Sequence, residues 1–187
     1  MGTSGWVAVT EPREEALGRT GAFVLEHPTE RGLAISAAST MTAGGALDWA
    51  RQAFRPAGEA PAEEHYARIC ALAAESEPGS RGVMYLPWLG GERSPFLDPD
   101  ARGGFLGLSL ASTQADMFRA MLEGVAYAYR SLLEVVAPGH ARGRGAAVLV
   151  AGGPTKSPLW MQAGSARALL GRSWWRSPAA ATRCALG

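Results

Sequence analysis

The sequence predicts an α/β fold in which helices pack on a mixed sheet. Three short β-branched or apolar runs come first, patterns of amphipathic helices follow, and the later part of the chain alternates helix, strand and helix patterns. This order of elements is typical of a sheet covered by helices. The chain has 187 residues, enough for one well-buried core, so a single domain over residues 1–187 is expected.

Composition narrows the class of protein. Hydrophobic residues make up 47% of the chain and charged residues 19%, which is ordinary for a globular domain. The formal net charge of +1 gives no field that would attract nucleic acid or an anionic membrane, so neither partner is expected. No stretch has the character of a membrane span or a signal peptide, and a cytoplasmic location is therefore expected.

The two cysteines, Cys70 and Cys184, lie far apart and show no metal-ligand spacing. They are expected to be ordinary thiols in a reducing compartment. Neither a disulfide framework nor a protein metal site is expected from this pattern.

The three β-prone runs are residues 6–10, 21–27 and 32–39, separated by Gly, Pro and charged clusters. This pattern predicts an antiparallel meander. Two helices are predicted next, over residues 46–54 and 62–75, because apolar residues recur there at helical spacing. The Pro- and Gly-rich connector between them is expected to be a surface loop.

A strand followed by a long loop is predicted for residues 82–110. A loop of this length is usually functional or packed down by its own side chains. Its charged residues are expected to form a salt-bridge network that fixes the loop, with a catalytic pair as the alternative. They are Glu92, Arg93, Asp98, Asp100 and Arg102.

The most regular helical pattern covers residues 113–136. Thr113 or Ser112 can cap this helix at its N-terminus. Its predicted apolar face consists of Met117, Met121, Val125, Ala128, Leu132 and Val136.

The strongest local indication of a ligand site is the strand, glycine turn and helix pattern of residues 148–160, VLVAGGPTKSPLW. Glycines at the end of a strand let a ligand approach the backbone, and a helix N-terminus favours phosphate. A P-loop is excluded because Thr155 stands where the glycine before Lys156 would be. A tight connection without a ligand remains an equal alternative. The helix is predicted to end at Gly171.

Two further glycine turns occur at Thr3-Ser4 and at Gly44-Gly45. Each has an ordinary structural explanation, but three such turns together favour a phosphate-rich ligand. The histidines are expected to be solvated rather than catalytic, and the Trp174-Trp175 pair to be buried against the sheet rather than to stack on a base. The histidines are His27, His65 and His140.

Four segments match the pattern of a single family. Residues 103–123, GGFLGLSLASTQADMFRAMLE, fit its second signature in full, and residues 85–103, YLPWLGGERSPFLDPDARG, resemble the stretch before that signature. Residues 41–51, MTAGGALDWAR, resemble the segment before a Trp-containing helix, and residues 151–162, AGGPTKSPLWMQ, resemble an adenosine-binding turn. Together they resemble the C-terminal domain of the FGGY family of carbohydrate kinases, its xylulokinase-like members in particular.

The resemblance implies an actin-like or ribonuclease H-like ATPase fold and the nucleotide-binding half of an ATP-dependent sugar or polyol kinase. It also implies nucleotide contacts at three places. They are Gly2 and Thr3 at the β and γ phosphates, Gly44 and Asp48 near the nucleotide, and Gly152, Gly153 and Ser157 at adenosine. Pro154 departs from the family pattern, which usually has a third glycine there.

The resemblance further implies that part of the machinery lies outside this sequence. The general base of the family, an Asp, and most sugar contacts belong to an N-terminal domain absent from these 187 residues. With ATP and Mg²⁺ as cofactors, the chain alone is expected to be catalytically incomplete. A xylulose-like substrate is favoured, a homodimer is possible, and a non-catalytic actin-like binding or assembly module is the alternative.

Overall fold

The computed structural model of the chain describes residues 3–54, 62–138, 148–163 and 175–176. None of the helices within these ranges is long and apolar enough to cross a membrane. In chain order the elements are β1 Gly5–Pro12, α1 Arg13–Leu17, β2 Phe23–Glu26, β3 Leu33–Thr40, α2 Gly44–Ala53, α3 Ala62–Glu75, β4 Met84–Leu86, β5 Gly104–Leu106, α4 Gln114–Val136, β6 Val148–Leu149, α5 Pro158–Ala163 and β7 Trp175–Arg176.

The first three strands form an antiparallel sheet with β3 in the middle. The register sets Gly5 of β1 opposite Thr40 of β3, and Phe23 of β2 opposite Ala37. Antiparallel pairing was predicted correctly, but the meander order is wrong because β1 and β2 are not neighbours. β3 is the most buried of the three strands, which suits the position where both of its edges are hydrogen-bonded.

α4 packs on one face of this sheet. Val7 of β1 and Ala38 of β3 lie in one apolar cluster with Leu132 and Val136 of α4. The N-terminus of α4 is closed by a capping box, in which the Thr113 hydroxyl accepts from the Asp116 amide and the Asp116 carboxylate accepts from the Thr113 amide. The predicted Thr113 cap is therefore confirmed.

The middle of α4, residues 116–126, is buried on nearly all sides rather than on the single predicted face. α4 also contacts α3, β4 and α5, so this helix is central to the fold. A second apolar cluster on its other side joins α2, α3, β4 and α4, and it includes Leu47, Ile69, Tyr85 and Met121.

Two buried carboxylates of α4 hold the connection that follows α3. Asp116 accepts a hydrogen bond from the Ser76 hydroxyl at 2.6 Å. Glu123 accepts from the Gly79 amide at 3.1 Å and from the Ser80 hydroxyl at 3.0 Å. This connection leads directly into β4, so the carboxylates help to fix the position of that strand.

β4 and β5 form a separate antiparallel pair. β5 lies inside the segment that was predicted to be a loop, because a three-residue strand between glycines gives little periodic signal in the sequence. β6 and β7 form a parallel pair. Parallel and antiparallel pairing both occur, as the mixed-sheet prediction requires, but within the described residues they belong to separate sheets.

Some predicted features lie outside the described residues. They are Gly2, the connector at residues 55–61, His140, Gly171, Trp174 and Cys184. The helix predicted for residues 158–171 is described as Pro158–Ala163.

Candidate functional site

The Thr3 turn lies directly against the start of α2. The Thr3 carbonyl oxygen accepts hydrogen bonds from the amides of Ala43, at 2.8 Å, and Gly45, at 3.1 Å. The side chain of Thr3 is exposed, and Gly44 is buried beneath the turn. Two of the three predicted glycine turns therefore meet at one point.

Gly45 allows this close approach. A Cβ at position 45 would lie 2.7 Å from Thr3 Cγ2 and 3.2 Å from the Thr3 carbonyl oxygen. Real Cβ atoms do not tolerate the first of these distances. A side chain at position 45 would therefore force the exposed Thr3 side chain to move, so the glycine favours the observed position of the turn.

The N-terminus of α2 is positively polarised. The helix has ten residues, and none of the residues in its first turn is acidic, so its own sequence does not offset the positive end of the helix dipole. Thr3, an exposed residue, lies beside that end. This arrangement favours an anion such as a phosphate group.

Asp48 lies one turn further along α2 and accepts a hydrogen bond from the Tyr66 hydroxyl of α3. Burial raises the pKa of Tyr66, and the bond to Asp48 raises it further. The phenol therefore stays protonated and donates to Asp48 across the neutral pH range. Asp48 is half-buried, and this contact fixes its side chain between the two helices.

The turn at residues 152–157 is stabilised by its own hydroxyl groups. The Thr155 hydroxyl donates to the Gly152 carbonyl oxygen at 2.7 Å, and the Ser157 hydroxyl accepts from the Trp160 amide at the start of α5 at 3.2 Å. Pro154 lies in the first turn of a short 3-10 helix that begins at Gly153, where a missing N–H costs little. The departure from the family pattern is therefore compatible with the local backbone.

α3 connects the two parts of the candidate site. The Ser157 hydroxyl lies 3.3 Å from the Cys70 sulfur of α3, and Cys70 is four residues after Tyr66, on the same face of the helix. Contacts thus run without a break from Thr3 to α2, from Asp48 to Tyr66, and from Cys70 to Ser157. Gly152 and Gly153 belong to the same turn as Ser157.

Sequence reasoning missed the role of Glu92. It was assigned to a salt-bridge network, but its buried carboxylate accepts hydrogen bonds from the Thr40 hydroxyl and the Met41 amide, which lie between β3 and α2. These donors are distant in sequence, so the only available signal was an acidic residue directly after two glycines.

The predicted salt-bridge network of the long loop is wrong. Among the described residues the loop contains one ion pair, Arg102 with Asp100, whose atoms are 3.9 Å apart and exposed. The loop is held instead by backbone bonds between Glu92 and Asp98, at 2.8 and 3.0 Å, and by the Asp98 carboxylate accepting from the Asp100 amide at 2.8 Å.

The prediction of solvated histidines is wrong for His65. Its side chain is 6% exposed and lines a cavity of about 20 Å³ between α2, α3 and α4, which is room for one water molecule. His27 is half-buried, and its Nδ1 accepts from the Glu30 amide at 3.0 Å, as in a turn. Within the described ranges, neither histidine contacts the Thr3 turn.

Metal-binding side chains are not clustered in the described part of the chain. No group of three or more His, Cys, Asp or Glu residues there could hold a metal ion. Among the site residues that were predicted from the sequence, Asp48 is the one with a carboxylate.

Comparison with protein families gives one match over most of the chain. The model of the "FGGY family of carbohydrate kinases, C-terminal domain" matches residues 1–171. The chain is similar to a xylulose kinase of Staphylococcus epidermidis, at 36% identity over 124 residues, and to a gluconokinase of Bacillus subtilis, at 32% over 133 residues. These alignments cover 66% and 68% of this chain, and 23% and 25% of the relatives.

A solved structure shows the same fold. The crystal structure of xylulose kinase from Rhodospirillum rubrum superposes with a TM-score of 0.69 at 30% identity, covering 88% of this chain and 31% of that one. The predicted actin-like α/β fold is thereby confirmed. The chain spans about a quarter to a third of the length of the proteins it matches.

Proposed function

Because the chain belongs to the FGGY family of carbohydrate kinases, we propose that it forms the nucleotide-binding half of an ATP-dependent sugar kinase. Members of this family are phosphotransferases that use ATP and an alcohol group as acceptor. The observation that carries the proposal is the unbroken series of contacts from Thr3 through α2 and α3 to Ser157. It supports one elongated ligand lying across all three predicted turns.

The phosphate end of the nucleotide would lie at the Thr3 turn. Gly2 and Thr3 would offer backbone amides and a hydroxyl to the β and γ phosphates, and the N-terminus of α2 at Gly44, whose first turn carries no acidic residue, would favour their charge. This polarised group is fixed before the nucleotide arrives. Preorganised donors of this kind stabilise charge that develops on a transferring phosphoryl group.

The adenosine end would lie at the turn of residues 152–157. Gly152 and Gly153 would let the base or ribose approach the backbone, and Ser157 would anchor the turn to α3 and α5. Asp48 would lie between the two ends, with its orientation set by Tyr66. Asp48 and Ser157 of this proposed binding surface are therefore held in place by hydrogen bonds to other parts of the chain.

Mg²⁺ fits this arrangement as an ion that arrives with the nucleotide. Mg²⁺ in phosphoryl-transfer sites is usually held by substrate phosphates and one or two carboxylates rather than by a protein cage. Asp48 is the carboxylate that could serve. The ion would neutralise charge on the phosphate oxygens when bound.

The chain alone is proposed to lack kinase activity. Phosphoryl transfer needs an acceptor hydroxyl aligned with the γ-phosphate and a base to take its proton. Asp48 is the one carboxylate among the proposed contact residues, and it already accepts from the Tyr66 hydroxyl, while the chain spans only part of the length of its relatives. The sugar site and the proton acceptor would belong to an N-terminal domain.

A xylulose-like ketose is the proposed acceptor. The favouring feature is the sequence ERSPFLDPDARG at residues 92–103. The relatives include both xylulose kinases and gluconokinases. Joining the chain to the N-terminal part of a xylulose kinase and comparing xylulose with gluconate would test this choice, because equal or greater activity on gluconate would reject it.

Isothermal titration calorimetry of the purified chain with MgATP tests the proposed function. Saturable binding is expected, and Asp48→Asn is expected to weaken it, whereas Asp100→Asn, an exposed loop residue, should leave it unchanged. A coupled assay should detect no sugar-dependent ADP release by the chain alone.

Each alternative has its own outcome in these measurements. A chain that binds no MgATP would support the non-catalytic binding or assembly module. Steady ADP release that depends on sugar and on this chain alone would contradict the claim of catalytic incompleteness.

A further inference from the structure

Glu92 directs its carboxylate at the segment that joins β3 to α2. Its side chain is 2% exposed. Oε2 accepts from the Thr40 hydroxyl at 2.7 Å, and Oε1 accepts from the Met41 amide at 3.0 Å and from the Arg93 amide at 2.8 Å. No ion pair to Glu92 occurs among the described residues. The carboxylate therefore acts as a hydrogen-bond acceptor for neutral donors.

These bonds are adjacent to the ones that hold the Thr3 turn. Thr40 is paired with Gly5 at the end of the sheet, and the amides of Ala43 and Gly45 donate to the Thr3 carbonyl oxygen. Glu92 therefore fixes one end of a six-residue segment, residues 40–45, whose other end binds Thr3.

Glu92 is itself held firmly from the opposite side. Its backbone exchanges two hydrogen bonds with Asp98, at 2.8 and 3.0 Å. Two residues later, the Ser94 hydroxyl donates to the Gly21 carbonyl oxygen at 2.8 Å. Through the Glu92 carboxylate, the long loop therefore holds the segment before α2 in place.

We propose that Glu92 is a positioning residue for the phosphate end of the nucleotide site. The proposal rests on the proposed function, and it adds a residue that touches no nucleotide. By accepting from Thr40 and Met41, Glu92 orders residues 40–45 before the nucleotide binds, so the Thr3 turn and the α2 N-terminus are already in place. Such preorganisation lowers the entropic cost of binding.

This role requires an acceptor but not a charge. A glutamine at position 92 keeps one oxygen for the two amides, and its NH₂ group can donate to the Thr40 hydroxyl, which can act as donor or acceptor. An alanine keeps none of these bonds. The Gln and Ala variants therefore separate positioning through hydrogen bonds from an electrostatic effect.

The test is calorimetric titration of the 187-residue chain with MgATP and, separately, with AMP, which lacks the β and γ phosphates. Glu92→Ala is expected to weaken MgATP binding about tenfold and to leave AMP binding nearly unchanged. Glu92→Gln should bind both as the wild type does. The matched control is Glu11→Ala, because Glu11 is also a buried carboxylate but bonds to Arg19 and Ser36 at the far end of β1, and it should keep both affinities.

Equal losses for MgATP and AMP in Glu92→Ala would overturn the proposal, since they indicate a general structural role. A Glu92→Gln variant as weak as Glu92→Ala would also overturn it. If Glu92→Ala does not fold, Thr40→Val, which removes a single donor, is expected to show a selective loss of MgATP affinity, and an unchanged ratio of the two affinities would reject the proposal.

Hydrogen exchange separates this inference from the proposed function. The amides of residues 41–45 should exchange faster in Glu92→Ala than in the wild type, and unchanged exchange would overturn the inference even where MgATP binds. A wild-type chain that binds no MgATP overturns the proposed function and the nucleotide role of Glu92 with it, whatever the exchange rates are.

Discussion

Gly45 and Thr3 make the tightest contact of the proposed phosphate turn. The carbonyl oxygen of Thr3 binds two amides at the start of α2, and the missing side chain of Gly45 leaves the space that Thr3 occupies. Because Thr3 is otherwise exposed, a group added at position 45 would displace the turn more easily than it would disrupt the core. A substitution at position 45 should therefore change the affinity for MgATP more than it changes the free energy of unfolding.

Gly45→Ala is expected to lower MgATP affinity about tenfold while changing the free energy of unfolding by less than about 1 kcal/mol, because the cost of the overlap is partly offset by the helix preference of alanine. Calorimetry and urea unfolding measure the two quantities. Gly104→Ala is the control, since a Cβ there has no neighbour within 4 Å. Unchanged affinity in Gly45→Ala would contradict the assignment of Thr3 to the phosphates.

Tyr66→Phe removes the hydrogen bond that orients Asp48. The half-buried Asp48 carboxylate then loses a partner, and a destabilisation of about 1 kcal/mol is expected together with weaker MgATP binding. Tyr127→Phe, on the exposed side of α4, should change neither quantity. Urea unfolding of both variants checks this, and equal effects would show that the Tyr66 hydroxyl has no specific role.

Single residues were predicted well where their partners are close in sequence. Thr113, with Ser112 as the other candidate, was predicted as a cap from its residue type at the start of the helical pattern, and its partner Asp116 lies only three residues away. Glu92 and His65 were assigned wrongly because their surroundings are built by distant elements. The Thr40 donor lies 52 positions before Glu92, and α2 and α4 close over His65 only in the folded chain.

At the scale of elements, α4 organises the fold through its buried carboxylates as well as its apolar residues. The Ser76 hydroxyl, the amide and hydroxyl of Thr113, and the more distant Arg81 guanidinium hold the pKa of Asp116 below its ordinary value. A lowered folded-state pKa means that the stabilisation is fully present above the unfolded value, about 4, and is lost as the pH falls through the folded-state pKa.

Asp116→Asn is therefore expected to be less stable than the wild type at neutral pH, and the difference should shrink as the pH falls below about 4. Urea unfolding at a series of pH values measures this difference. Asp100→Asn serves as the exposed control. A difference that stays constant down to the lowest accessible pH would show that the Asp116 charge does not contribute.

The elements themselves were predictable to different degrees. The helices α2, α3 and α4 were found because their apolar residues repeat along a short stretch. The central position of β3 and the existence of β5 were not found, since strand order depends on pairing between distant residues and a three-residue strand has almost no period. α1 was also missed, because a helix of five residues is too short to show a repeat of apolar residues.

At the scale of the whole molecule, α3 links the two ends of the proposed nucleotide site. Tyr66 contacts α2 on one side, and Cys70 contacts the turn before α5 on the other. The resemblance to the family indicated both ends of the nucleotide site. The helix at residues 62–75 was also predicted, but its role in connecting the two ends was not. The connecting contacts are between side chains far apart in sequence, which pattern reasoning does not reach.

The central claim is that one nucleotide bridges the Thr3 turn and the turn of residues 152–157. Hydrogen exchange of the chain, titrated with MgATP, tests it most directly. The account predicts that the amides of residues 43–48 and 152–157 become protected together, with the same midpoint in MgATP concentration. Protection of one region alone, or of neither at concentrations that saturate calorimetric binding, would contradict the claim.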